Sequence, residues 1–418
     1  MTYRTWLLTN LPAPYRIPAW NCLAQLAGGG VKVCFIADSE PRRNWVAPTG
    51  EMHFPWRYLA HGSKRVNAKS AAAMLVELAR SRPQVIICGG YDSLAAWVCF
   101  LWSKLFRRRL VLWLESTARD ARQPGWLKTN LKRLFVRQAD AIAAAGKATV
   151  EYVKGLGASE ERIFLAPMST DTRFFAREAA KVHRDEVKQA LGYPPRLILY
   201  SGRLDAKKGV FVLLEAFARI QQEMPEAGLL IAGHGPERAK MEDFCRRGGL
   251  RHVYFLGARQ YRQMPAVYAL ADVLALPTFS DTWGMVINEA FACGVPAVVS
   301  AVAGACDDLI VNGETGFAVP PGDPVRLAER LLAILHHPDL HRRMSTNCRA
   351  LIQEFSPEAC AQGLLQAALG VRPRSCRFAE PAAEPLSECH REATNRTVRG
   401  KAVALVCGGG AAALDPGR

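Results

Sequence analysis

Short apolar runs rich in Val, Ile and Leu recur along the chain, and longer amphipathic segments lie between them. This alternation constrains the fold more than any other feature of the sequence. A short aliphatic run with no polar alternation cannot show one face to water, so it belongs to a strand buried on both sides, covered by the helix-length stretches between runs. The expected class is α/β, built from βαβ units with mostly parallel sheets.

In the first half, strands are expected at 6–8, 31–37, 85–88, 110–114, 141–144 and 163–166, with helical patterns at 69–80 and 94–106. A charged stretch follows over 177–190. A second series opens at 196–203, Arg-Leu-Ile-Leu-Tyr-Ser-Gly-Arg, a strand ending in a glycine turn, and continues at 228–232, 252–256, 273–276 and 297–300. Two helical patterns occupy 323–355, and a last amphipathic helix is expected at 357–369.

The 418 residues exceed what one hydrophobic core ordinarily holds. The expected organisation is a first Rossmann-like domain over 1–175, a linker over 176–195, a second Rossmann-like domain over 196–355 and a closing helix over 356–370. Past that point Pro, Ala, Gly, Arg and Glu mix without period, and 371–418 reads as a disordered tail.

Lys and Arg outnumber Asp and Glu by 54 to 38, a net charge of +16. An excess of that size favours polyanions or an anionic surface without saying which, and a basic protein with no such partner has the same balance. The 12 cysteines are scattered, with no close spacing of a metal or redox motif, and read as buried thiols of a reducing compartment. The first residues, Met-Thr-Tyr-Arg-Thr-Trp-Leu-Leu, read as a strand rather than a signal peptide. The apolar segment at 94–106 is too short for a bilayer span of roughly 20 residues. A cytoplasmic location is expected, with peripheral contact on the inner face of the membrane. That contact would use Arg107-Arg108-Arg109 and the basic amphipathic segment 126–137; a solvated helix face over the core reads these residues equally well.

In an open α/β sheet, ligands gather at the carboxyl ends of strands, so the loops of the second series carry the functional reading. After the first strand comes Gly202-Arg203-Leu-Asp-Ala-Lys-Lys208-Gly209. Two cations beside a helix start make a diphosphate clamp, because backbone N–H groups and fixed charge converge on one anion. The next loop, Gly233-His234-Gly235-Pro236-Glu237, is a glycine turn into a helix, not a dinucleotide fingerprint.

The segment from Leu276 to Pro296 places Asp281 in a loop, a helix start near Gly284 and Glu289 among apolar residues of that helix. A carboxylate is costly to bury there unless it is hydrogen-bonded, and sugar hydroxyls are suitable donors. Taken alone, Glu289 reads equally as an acid on a solvent face, Trp283 as a core aromatic, and Arg203 with Lys208 as a solvated pair.

Together these loops resemble the retaining glycosyltransferases of family 4, which have the GT-B fold. Gly202-Arg203 with Lys208-Gly209, Gly233-His234-Gly235-Pro236, Asp281 with Glu289, and Asn312-Gly-Glu-Thr-Gly-Phe317 through Asp323 appear in the family's order and spacing. The resemblance implies two Rossmann-like doubly wound domains facing each other across a donor-binding cleft, and a nucleotide-diphosphate sugar as donor. It implies no cofactor and no obligatory metal; Asp307-Asp308 lacks a supporting metal site. By position, Arg203 and Lys208 would neutralise the donor diphosphate, Glu289 would bind ribose hydroxyls, and Asp281 would contact the transferred sugar. Gly284, Met285 and Val286 would offer backbone N–H groups.

Two departures stand out. The family usually has Glu where this chain has Asp281. The first-domain loop reads Asn10-Leu-Pro-Ala-Pro-Tyr15-Arg16 in place of a glycine-rich form, so Tyr15 and Arg16 are expected to face the acceptor. Glu115 stands where many members carry a histidine; it reads as a functional replacement or as a helix N-terminal charge. The acceptor implied is a saccharide or a lipid-linked molecule. An epimerase of the same fold and a non-catalytic sugar-nucleotide-binding protein remain alternatives. Nucleic acid is not expected as a partner, since no basic and aromatic platform is visible.

Overall fold

Among the residues described by the computed structural model, 4–38, 48–61, 67–119 and 125–371, thirteen strands form two parallel sheets. The stretch 372–418, the body of the expected tail, lies outside the described residues. The first sheet contains β1 (Thr5–Thr9), β2 (Val31–Phe35), β3 (Trp56–Tyr58), β4 (Val85–Cys88), β5 (Arg109–Leu114), β6 (Ala141–Ala144) and β7 (Ile163–Leu165) in the order β3-β2-β1-β4-β5-β6-β7. The second contains β8 (Arg196–Ser201), β9 (Ala227–Ala232), β10 (Val253–Gly257), β11 (Val273–Leu276), β12 (Ala297–Ser300) and β13 (Gly316–Val319) in the order β10-β9-β8-β11-β12-β13.

Both orders reverse direction beside the first strand of their series, between β1 and β4 and between β8 and β11. That reversal opens a crevice at the carboxyl ends of each sheet, and the loops after these strands border it. The central strands are buried on both faces: Leu197, Ile198, Leu199 and Tyr200 of β8 have no exposed surface. Burying each such side chain contributes about 1.5–3 kcal/mol before chain entropy is counted.

Strands β3 and β13, two of the four edge strands, escape the sequence reading, whereas the edge strands β7 and β10 keep an apolar run. An edge strand pairs on one side only and needs no aliphatic run, so β3 tolerates Arg57 and β13 sits inside a glycine-containing turn segment.

The stretch 176–195 contains the end of one helix, Thr172–Ala180, and all of another, Arg184–Ala190. Phe175, fully buried, packs its ring 5.1 Å from Tyr261 and 6.1 Å from Tyr268 of the second domain. Asp272 pins the second helix to the start of β8: it accepts from Leu197 N at 2.7 Å and pairs with Arg184 and with Lys188. Burial pushes the Asp272 carboxyl up, but Arg184 and Lys188 outweigh it and hold the group below the usual range.

The Pro357–Leu369 helix starts on a Ser356 cap with Pro at its first turn and ends on Gly370 at φ 72°. It returns to the first domain, where Cys360, Ala361, Leu364 and Ala367 join the core beneath the Ile17–Leu26 helix. The two domains also meet at Asp308. Its carboxylate accepts from Lys147 N at 3.0 and 3.1 Å, acting across the interface as a cap for the Lys147–Gly155 helix, whose own Gly146 offers no side chain. Beside it, Arg119 bonds Asp307 at 2.6 Å and the carbonyl of Ala301 at 3.2 Å. The acidic pair therefore serves the interface.

Burial raises the Asp308 carboxyl to about 7, partly offset by the Lys147 N–H. Asp308→Ala, which removes both bonds, is expected to cost about 1–2 kcal/mol of stability by chemical denaturation. Asp308→Asn keeps an acceptor and sheds the buried charge, so its midpoint at pH 8 is expected to match or exceed the parent's. Equal loss in both variants would show that the cap does not operate. No helix among the described residues is long and apolar enough to cross a membrane.

Candidate active site

The turn after β8 is held from below. Tyr200, fully buried, donates its hydroxyl to the carbonyl of Arg203 at 2.7 Å. From the side it is braced by the 233–236 turn: Leu204 N donates to His234 O at 2.9 Å and Glu237 N to Leu204 O at 3.1 Å. Arg203 thus has a fixed backbone and a partly exposed side chain, 38% accessible, whose guanidinium stands 3.8 Å from Asp205.

Lys208 ends a short turn capped by Asp205, and Gly209 follows at φ 68°. A Cβ at Gly209 would stand 1.8 Å from the carbonyl oxygen of Pro277, so only glycine lets this turn touch the loop after β11. The contact is sealed by Lys207 O, which accepts from Phe279 N at 2.8 Å and from the Thr278 hydroxyl at 3.2 Å. As a result Lys208 Nζ reaches Asp281 Oδ2 at 2.7 Å and Ser280 O at 3.3 Å. Two residues 73 positions apart, singled out separately in the sequence, form one half-buried ion pair.

The Met285–Ala292 helix begins on Gly284 at φ 102° with no side-chain cap. Its first N–H groups, those of Met285 and Val286, therefore offer a partial positive charge where the loop that carries Asp281 enters the helix. One turn further in, Glu289 is buried and accepts from the Tyr268 hydroxyl at 2.8 Å. Burial pushes this carboxyl up to about 7, with the Tyr268 bond pulling the other way. Burial, and after it the Glu289 carboxylate, holds the Tyr268 hydroxyl well above its ordinary range.

On the first domain, Arg16 pairs with Glu115, lies over the Trp113 ring at 4.9 Å and reaches the Thr9 hydroxyl at 3.4 Å. Tyr15 carries Arg16 at 5.8 Å and packs against the core cluster that includes Trp283. The three residues expected on the acceptor side therefore meet at the ends of β1 and β5. Glu115 is spent on Arg16, and the next described helix starts only at Trp126.

Tyr268 and Asn288 belong to the neighbourhood but had no signal in the sequence. Asn288 accepts from Trp283 Nε1 at 2.8 Å and donates to Met168 O at 2.9 Å, fastening the helix of Glu289 to the first domain. Each sits in an ordinary helical pattern, and only tertiary proximity gives it a role. Among the described residues, no three His, Cys, Asp or Glu side chains converge as a metal site.

The family models of known proteins match both domains. Residues 183–351 match "Glycosyl transferases group 1", and residues 19–168 match "Glycosyl transferase 4-like domain". The chain belongs to the group 1 glycosyltransferases. Its fold is GT-B: this glycosyltransferase superposes on Anabaena Alr3699/HepE in complex with UDP with a TM-score of 0.72 at 20% identity, covering 88% of this chain and 100% of that one. WaaG, a glycosyltransferase involved in lipopolysaccharide biosynthesis, gives 0.63 at 18% identity over 88% of this chain and all of that one.

By sequence the glycosyltransferase is 29% identical over 276 residues to the alpha-D-kanosaminyltransferase of Streptomyces kanamyceticus, 63% of this chain and 70% of that protein. It spans between 43% and 58% of the length of four further curated relatives.

Proposed function

We propose that this glycosyltransferase moves a sugar from a nucleoside-diphosphate sugar to an acceptor hydroxyl with retention of anomeric configuration. The observation that carries the reading is the Lys208–Asp281 pair, which ties the turn of Arg203 and Lys208 to the loop that leads into the uncapped Met285–Ala292 helix, with the buried carboxylate of Glu289 one turn into that helix. Three sources of positive charge suit a diphosphate, and a deep carboxylate suits ribose hydroxyls. A neighbour of the same fold was solved with UDP, which supports a nucleotide-sugar donor.

In this reading the bond from the anomeric carbon to the diphosphate oxygen breaks while Arg203, Lys208 and the helix N–H groups take up the growing charge on the leaving nucleotide. The acceptor oxygen bonds to the same carbon on the same face, and its proton passes to a phosphate oxygen. No enzyme nucleophile and no cofactor enters. Asp281, already held by Lys208, contacts the transferred sugar, and Tyr15, Arg16 and Glu115 orient the acceptor from the opposite domain. Closure of the domains excludes water that would otherwise hydrolyse the donor. The acceptor is a saccharide or lipid-linked hydroxyl, as in assembly of a polysaccharide or glycolipid.

Proton NMR of the first product formed, with an accepted donor and an alcohol acceptor, tests the stereochemistry. The product is expected to keep the donor's anomeric configuration. An inverted product would reject the retaining mechanism, and conversion of donor to an epimer with no acceptor present would reject transfer.

A further inference from the structure

Ten of the eighteen exposed large apolar side chains among the described residues lie on three consecutive helical segments on one face of the first sheet. The Leu94–Leu105 helix turns Leu94, Leu101 and Leu105 outward, 51%, 63% and 76% exposed, with Phe106 just beyond. These residues stand seven and four apart, one stripe of a helix. Its inner face, Ala95, Ala96, Cys99 and Phe100, is already committed to the core.

The neighbouring Trp126–Gln138 helix repeats the arrangement. Leu127, Leu131 and Leu134 form its outer stripe, Trp126 at its tip is 80% exposed, and Phe135 faces inward against Trp97 and Phe100. On the far flank the Asn67–Ser81 helix adds Leu75 and Val76. A surface of this kind, apolar at its centre on adjacent helices, needs a partner.

The charges around it say which. Over 94–109 and 126–138 there are eight Lys or Arg and no Asp or Glu. Lys104, Arg107, Lys128 and Arg133 are exposed beside the stripes, while the acids that flank the segments are few, Asp140 being spent on Leu110 N and Lys104. Leucines and a tip tryptophan between long basic side chains match the boundary between headgroups and acyl chains, where the ammonium and guanidinium heads reach lipid phosphate and the stems stay apolar.

We propose that this face docks the protein on anionic lipid bilayers. The Leu94–Leu105 helix follows the end of β4 closely, so its start lies at the carboxyl edge of the first sheet, the edge where Arg16 and Glu115 meet. An acceptor hydroxyl displayed on a lipid would enter from that side. The docking itself rests only on the exposed stripes and their charge, independent of the donor chemistry.

The test is flotation of the full chain with vesicles of phosphatidylcholine alone and of phosphatidylcholine with phosphatidylglycerol, alongside sedimentation velocity without lipid. Binding is expected only with phosphatidylglycerol, and it should weaken as salt is raised. Lys128→Ala with Arg133→Ala is expected to reduce binding roughly fivefold for each charge removed, and Trp126→Glu with Leu127→Glu by at least about tenfold. Nucleotide-sugar binding should be unchanged in both, because these side chains stand outside the donor loops, so a failure of docking is distinct from a failure of the donor reading. Equal binding to both vesicles, or undiminished binding by both double variants, would overturn the proposal. So would a lipid-insensitive dimer disrupted by Trp126→Glu with Leu127→Glu, which would make the face an interface between copies.

Discussion

Lys208→Ala is expected to lower kcat/KM for transfer by about 10²–10³-fold, the usual effect of deleting one group that meets charge developing in the transition state. The loss should fall mainly on kcat, because the charge on the departing nucleotide grows as the bond breaks. The variant also leaves Asp281 without the cation that holds it at 2.7 Å. A half-buried carboxylate released beside a diphosphate repels it, so donor affinity should fall as well.

Lys208→Ala combined with Asp281→Asn separates these effects: the repulsion is gone, donor affinity recovers, and the kcat defect persists. Steady-state kinetics with calorimetric donor binding on the three proteins makes the comparison. A full recovery of kcat in the double variant would mean that Lys208 only neutralises Asp281. Because the fold is anchored by the Gly209 contact and by Tyr200, neither of which needs the Lys208 side chain, the variants should fold.

The second large effect has opposite signs on binding and stability. The Glu289 carboxyl titrates at about 7 in the folded chain against an ordinary 4.5, because burial penalises its charged form. A carboxyl raised by folding favours the native state fully below its unfolded value, and that advantage is lost as pH rises from 4.5 through about 7. Above that window the ionised group weighs against the fold by at most about 3–4 kcal/mol.

Glu289→Gln removes the charge while keeping the shape. Stability at pH 8, measured by chemical denaturation, is expected to equal or exceed the parent's, while donor affinity falls about tenfold or more, as a charged acceptor of ribose hydroxyls is replaced by a neutral one. The parent's donor affinity should rise with pH toward 7, with a proton released on binding, as ribose hydroxyls favour the ionised form. A Gln variant that binds donor normally with an unchanged pH profile would remove Glu289 from the site. Stability that drops sharply at pH 8 would instead give it a structural role through Tyr268.

These effects concern residues of unequal visibility in the sequence. The central strands were legible because aliphatic runs such as Leu197–Leu199 admit one environment, and the strand ends then located Arg203 and the helix of Glu289. Strands β3 and β13 were not, since Arg57 breaks the first and the second is set in a glycine-containing turn segment. The carboxylate of Glu289 stood out against its apolar neighbours, but Tyr268, the group that makes its burial tolerable, is one more aromatic in an apolar helix. The Lys208–Asp281 pair depends on the approach of Gly209 to Pro277, a contact between loops 68 residues apart that no local pattern records. Asp307 and Asp308 carried a charge signal whose meaning, a cap and an ion pair for the opposite domain, became readable only with both sheets in place.

The central claim is a nucleoside-diphosphate sugar bound between the Arg203–Lys208 turn and Glu289. The measurement that tests it most directly is calorimetric titration of the parent, Arg203→Ala and Glu289→Ala with a panel of UDP-, GDP-, ADP- and TDP-sugars. The account predicts selective binding of one nucleotide class by the parent, weakened in both variants while their folds persist by circular dichroism. A folded parent that binds none of the panel, or binding that survives both substitutions, would contradict it.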